Sequence, residues 1–266
     1  MTGLAPFFLP FVLVLASALG WRIRHALPDH HRTHETTDAV RLLLGMLVTF
    51  SAIVLGLLTT SAKTHFDNAR DRFQSYSIDL IMLDQRLREY GPGADFARAS
   101  LRAYTAAAIA DTWPNEPLPT GIYPSHSGDI ISNSIESLKL GAMLLALDGQ
   151  IGSLIPSTPL QETLSSTLTT RMTTTLQDRW ILLGSARSTM AWPFLSIMSG
   201  WLVLVFALFG LSFRGNSVIY AVVSMAALSL SAAVWLIVEL DNPLSGYFGI
   251  SSAAVREALF HMDAAF

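Results

Sequence analysis

"FDNARDRFQSYSIDLIMLDQRLREY", residues 66–90, carries the most regular pattern in the chain. Phe66, Phe73, Leu80 and Leu87 recur every seven residues, and Ala69, Tyr76, Leu83 and Tyr90 follow each by three. This is the spacing of a helix with a single apolar seam. Counted backwards, the same register gives Thr59, Ala52 and Gly45, with Lys63, Gly56 and Thr49 at the intermediate steps of four. No proline or cap interrupts the join. The pattern therefore predicts one long helix that leaves a membrane and continues for about 30 residues beyond it. Its seam changes along the way from small and hydroxyl-bearing to large and apolar.

The composition supplies the membrane. Of 266 residues, 51 % are hydrophobic and 14 % charged, where an ordinary soluble domain has about 25 % charged. Four stretches, 4–21, 40–60, 190–213 and 217–240, can cross a hydrocarbon layer of about 30 Å, which takes about 20 apolar residues. No basic residue precedes the first and no small-x-small site follows it, so it reads as a span and not as a signal peptide. The expected fold is all-α, an integral membrane protein with four transmembrane helices and a helical extramembrane insert between the second and third spans. Residues 1–60 would hold the first two spans, 61–189 the insert, and 190–266 the last two spans with a short tail. Within the insert, "YGPGAD" (90–95), "WPNEPLPTGIYP" (113–124) and "GSLIPSTP" (152–159) break the chain into helical pieces, and strand-like alternation is missing. The last piece repeats every four residues through Leu160, Leu164, Leu168, Met172, Leu176 and Trp180.

Several function classes fall away at this level. A net charge of -3 and the absence of cysteine argue against nucleic acid as a partner and exclude disulfides and thiolate metal sites. A phosphate loop, a nucleophile elbow and paired carboxylates with an orienting base are all missing, so no enzyme and no cofactor is expected.

Two groups of residues remain as candidate sites. The stripe Gly45, Thr49, Ala52, Gly56, Thr59 and Lys63 suits close packing of membrane helices, and it also suits a pore, where hydroxyls replace part of an ion's hydration shell. Lys63 at such a mouth would favour anions. Glu239 and Asp241 end the last span in "VELDNPLSG" (238–246). Lys63, Arg70, Arg72, Arg179 and Arg187 approach the same membrane face, so an interfacial collar of ion pairs and a direct role at a pore mouth both fit. Pro243 ends the helix there and Gly246 permits the turn. A third group, His30, His31, His34, Glu35 and Asp38, is read as a polar connector, with a divalent metal or a pH-responsive loop as alternatives.

The order of two spans, helical insert and two spans, with "LRAYTAAAIADTWP" (101–114) in the middle and "ELDNPLSG" (239–246) at the end, resembles the bestrophin-like four-span membrane proteins, from about Leu43 to Ala258. More distantly, Asn242, Pro243 and Gly246 are similar to the Asn-Pro-Phe-Gly turn of bestrophin anion channels, although Leu244 stands in place of Phe and Ser245 is extra. The resemblance implies a homo-oligomer, pentameric in bestrophins, with the second span lining a central anion pore. It does not carry calcium gating, because "YFGISSAAVREAL" (247–259) replaces the acidic cluster that follows the turn in calcium-gated members.

Charge bias gives two answers on orientation. Arg22, Arg24, Arg32 and Arg41 make the first connection cytoplasmic, whereas Lys63, Arg70, Arg72, Arg171, Arg179 and Arg187 place the insert there; the resemblance favours the second. The expected function is a homo-oligomeric ion channel of the bacterial inner membrane, passing inorganic anions through a pore lined by the second span and surrounded by lipid. The alternative is a non-conducting sensor or scaffold that signals through the coiled-coil-like insert.

Overall fold

A computed structural model describes residues 5–26, 28, 34–123, 138–185, 192–212, 217–244 and 247–264. The described residues are helical, with no strand among them. Eight α-helices follow in order: α1 (Ala5–Ala26), α2 (His34–Tyr90), α3 (Asp95–Thr112), α4 (Leu138–Gly152), α5 (Pro159–Ser185), α6 (Trp192–Ser212), α7 (Ser217–Leu240) and α8 (Ala253–Asp263).

The 57-residue α2 runs without a break through the expected membrane exit at Ala62 and Lys63. Its end at Tyr90 is built by sequence. Gly91 takes φ +95°, in the left-handed region that favours glycine, and Pro92–Ala94 form a single 3-10 turn that starts α3. By length and composition α2, α6 and α7 are each able to cross a membrane.

The chain divides into two compact units, residues 1–66 with 188–242, and residues 67–187 with 243–266. In the first, α1 packs against α6 and α7. Leu9, Leu13, Met198, Leu202, Phe206 and Val234 are buried at its centre, and Leu47, Val54, Leu55 and Leu58 of α2 lie against them. Backbones meet directly where α1 crosses α6. A Cβ on Gly20 would overlap the carbonyl oxygen of Ala207, and one on Gly210 would overlap that of Ser17. Two glycines thus remove the side chains that would otherwise separate the helices, the usual device where lipid gives no hydrophobic drive for association. Arg24 seals the same crossing by donating to the carbonyl of Leu211 at 2.7 Å.

In the second unit the heptad seam is spent inside the chain. Ala69, Phe73, Tyr76, Leu80, Leu83, Leu87 and Tyr90 are all buried. Phe73 meets Trp113 edge-on at 5.5 Å between ring centres, and the Tyr90 carbonyl accepts from Gln161 of α5 at 3.0 Å. Burying each large apolar side chain contributes roughly 1.5–3 kcal/mol. Helices of the same chain cover this seam. An amphipathic insert more than a hundred residues long supplies that cover itself.

The tail after α7, grouped with the last two spans on sequence grounds, contributes α8 to the second unit, where it packs on α3. Trp113 donates its indole N–H to the Ile250 carbonyl at 2.6 Å. Glu116 accepts from the backbone and hydroxyl of Ser252 and from Arg256, while Arg256 also reaches the Pro117 carbonyl at 2.6 Å. Arg102 of α3 forks onto the Asp263 carboxylate.

Candidate functional site

The residues of the sequence stripe lie on one side of α2. Helical residues advance by about 100° each, which divides the apolar first half of α2 into three sectors. Ser51, Leu47, Val54, Leu55, Leu58 and Ala62 form the sector turned toward the chain's own core. Leu42, Met46, Phe50, Ile53 and Leu57 form a second, 56–73 % exposed, of large apolar side chains suited to lipid. Gly45, Thr49, Ala52, Gly56, Thr59 and Lys63 fall between them. All are exposed except Thr59, which is half-buried.

A side chain added at Gly45 or Gly56 would meet nothing within 4 Å. These glycines therefore differ in kind from Gly20 and Gly210, because within one chain their smallness serves no packing. The hydroxyls of Thr49, Thr59 and Thr60 donate to the carbonyls of Gly45, Leu55 and Gly56 at 2.9, 2.7 and 3.0 Å. Such back-bonding satisfies the hydroxyl proton in an apolar setting and leaves the oxygen lone pairs turned outward.

At the end of α7, Glu239 is half-buried and Asp241 buried. The Asp241 and Asn242 amides donate to the carbonyls of Ile237 and Glu239 at 3.1 and 3.2 Å, and the Asn242 side chain donates to Val238 at 2.9 Å. These bonds satisfy carbonyls that a helix end leaves open. Pro243 is buried, and its carbonyl accepts from Ile250 at 2.8 Å. Gly246 and Arg187 lie outside the described residues, as do His30 and His31 and the side chain of His34. Among the described residues, no three metal-ligating side chains gather.

Sequence reasoning missed the polar interior of the second unit. The phenols of Tyr76 and Tyr104 share a hydrogen bond of 2.7 Å, and Arg179, itself buried, bonds to Tyr104. Burial pushes both phenols above their ordinary range, that of Tyr76 further with Tyr104 beside it. Asp84 of α2 is buried and accepts from Arg98 of α3 at 3.1 Å and from Arg88 at 2.8 Å. The visible signal was Asp84 itself, an acidic residue next to seam position Leu83. Nothing in the sequence named its partner.

The bestrophin-like domain family matches residues 11–255, and the chain belongs to that family. Among solved structures, a variant of a bacterial bestrophin homologue from Klebsiella pneumoniae is similar over 97 % of both chains, with 17 % identity and a TM-score of 0.65. A second variant of that homologue reaches a TM-score of 0.68 at 16 % identity, over 98 % of this chain and 97 % of that one. A structure described as a membrane protein matches at 17 % identity and a TM-score of 0.65, over 96 % of both. At these identities the likeness establishes the fold. No curated protein matches the chain in sequence. Family and fold together make this a helical membrane protein of the bestrophin-like family.

Proposed function

We propose that the protein is a homo-oligomeric channel of the bacterial inner membrane, conducting inorganic ions passively along an axis lined by α2. The observation that carries this reading is the exposed small-residue sector of α2, set between a sector that packs in the chain and a sector suited to lipid. A membrane helix with two kinds of outward surface needs two kinds of neighbour. The bulky one fits lipid or an adjoining copy; the small, hydroxylated one fits a close approach that still leaves room for water and ions. With α1 counted as the fourth span, its 22 residues are long enough to cross beside α6 and α7. The second unit is then cytoplasmic, as in the bestrophin arrangement, and a fivefold assembly follows by the same analogy.

Thr49 and Thr59 present neutral oxygen atoms to a passing ion, so they ease its dehydration without choosing its sign. Lys63, charged and exposed, is the sign-selecting residue of the stripe and makes anions the first expectation. Glu239 and Asp241 are assigned to a collar of charge at the same face, with Asn242 and Pro243 turning the chain.

Conductance of the purified protein in planar bilayers tests the proposal. Wild type should carry current, and Lys63→Glu should shift the reversal potential toward cations. Sealed bilayers at high protein density, or an oligomer whose axis is filled by side chains, would favour the sensor.

A further inference from the structure

Where α1 and α6 finish and α7 begins, the first unit holds a polar group that the fold leaves unused. The indole of Trp21 stands 4.4 Å from the His25 ring and, edge-on, 6.5 Å from the Tyr220 ring, between ring centres. Its Nε1 is buried and has no hydrogen-bond partner. An indole N–H only donates, so what it lacks is an acceptor. Beside it lies a cavity of about 10 Å³, bounded by Trp21, Gly210, Tyr220 and Val223, with room for one oxygen-sized group. The neighbouring charges give that group a sign. Arg22 is exposed, and Arg24 is fixed at the same end by its bond to the Leu211 carbonyl at 2.7 Å. Among the described residues of α1, α6 and α7, the one carboxylate is Glu239, at the far end of α7. Glu35 and Asp38 open α2, where Asp38 is paired with Arg41 at 3.5 Å.

We propose that this cleft seats the headgroup of an anionic phospholipid, with Trp21 donating its N–H to an ester or phosphate oxygen and Arg22 and Arg24 balancing the negative charge. The helices α6 and α7 are long and apolar enough to cross a membrane, so their ends here fall at the level of glycerol and phosphate, where tryptophan and tyrosine gather. Free phosphate would offer the same oxygens. The surroundings favour the lipid: Leu19 and Ile23 on α1, and Val218 and Val222 on α7, are exposed within one turn of Trp21 and Tyr220. They give acyl chains an apolar surface that a soluble anion does not use. The seat requires a membrane and no current.

The solubilised protein, washed in detergent containing equal amounts of phosphatidylglycerol and phosphatidylcholine, is weighed by native mass spectrometry. Wild type should retain phosphatidylglycerol about fivefold or more over phosphatidylcholine, the effect of one arginine near a phosphate surface. Arg22→Gln should lower that preference several-fold, and Arg22→Lys should keep it. Trp21→Phe preserves the ring but not the donor, and should lower retention of phosphatidylglycerol about tenfold. The exposed Arg22 pair serves where Trp21→Phe fails to fold. Equal retention of the two lipids by wild type, or retention unchanged in both Trp21→Phe and Arg22→Gln, overturns the proposal. Release of the lipid by excess inorganic phosphate overturns it too, leaving a plain phosphate site. All readings are taken in detergent, so they stand or fall apart from the conductance test.

Discussion

The hydroxyls of Tyr76 and Tyr104 lie 2.7 Å apart in the interior of the second unit, yet the two residues are not equivalent. Tyr104 also bonds to Arg179, whereas Tyr104 is the side-chain partner of Tyr76. Removing the Tyr104 hydroxyl strands a buried donor and should cost roughly 1–3 kcal/mol. Removing that of Tyr76 leaves Tyr104 with Arg179 and should cost less, about 1 kcal/mol. Thermal melts of Tyr104→Phe and Tyr76→Phe check the order. Because burial raises both phenols, the unfolded chain ionises first in alkali, and wild-type stability should decline above about pH 10.

Gly20 and Gly210 differ in kind from Gly45 and Gly56, and substitution should show it. Gly210→Ala forces a methyl into the Ser17 carbonyl, so helices touching through their backbones must part, at about 1–3 kcal/mol or more. Gly56→Ala meets nothing inside the chain and should hold or raise stability, by up to about 1 kcal/mol, because alanine is the better helix former. Any effect of Gly56→Ala on assembly or current then reports on a surface shared with another molecule.

Asp84→Ala leaves the guanidinium of Arg98, 8 % exposed, without its carboxylate. Breaking a buried pair from one side costs about 3–5 kcal/mol. The partner variant Asp84→Leu with Arg98→Met should recover most of that loss, because an apolar pair of similar volume removes both desolvation costs. Denaturant unfolding of the solubilised protein measures the difference.

Glu116 ties the tail to the loop after α3. Partial burial works against its charge, but bonds from Ser252 and Arg256 outweigh it and hold the carboxyl below its usual range. A lowered carboxyl stabilises above its unfolded value and loses that stabilisation as pH falls through the folded one. Glu116→Gln at neutral pH, or wild type in acid, should therefore speed amide exchange across Val255–Met262 several-fold. The hydrophobic contacts of Val255, Leu259 and Met262 should keep α8 helical in both cases.

The helices were legible because their signals are local. The repeat from Phe66 to Tyr90 gave the unbroken length of α2, and the run after Ser217 gave α7, since length and period need no knowledge of partners. What covers the seam was not legible. A heptad states that one face must be buried but says nothing about whether another copy or the chain's own insert does so. The same limit hid the glycine crossing, where Gly20 and Gly45 look alike in sequence and differ only in what stands opposite. The docking of the tail on Trp113 and Glu116 joins residues more than a hundred positions apart, and no spacing rule reaches that far. Of the candidate site, the stripe on α2 was visible as a register. Its exposure had to come from the structure.

The crossing of α1 and α6 has a mechanical meaning. With main chain against main chain, no layer of side chains is left between them to shear or change rotamer, so sliding is blocked in both directions. The two helices must travel as a single strut. α2 meets that strut through leucine and valine side chains instead.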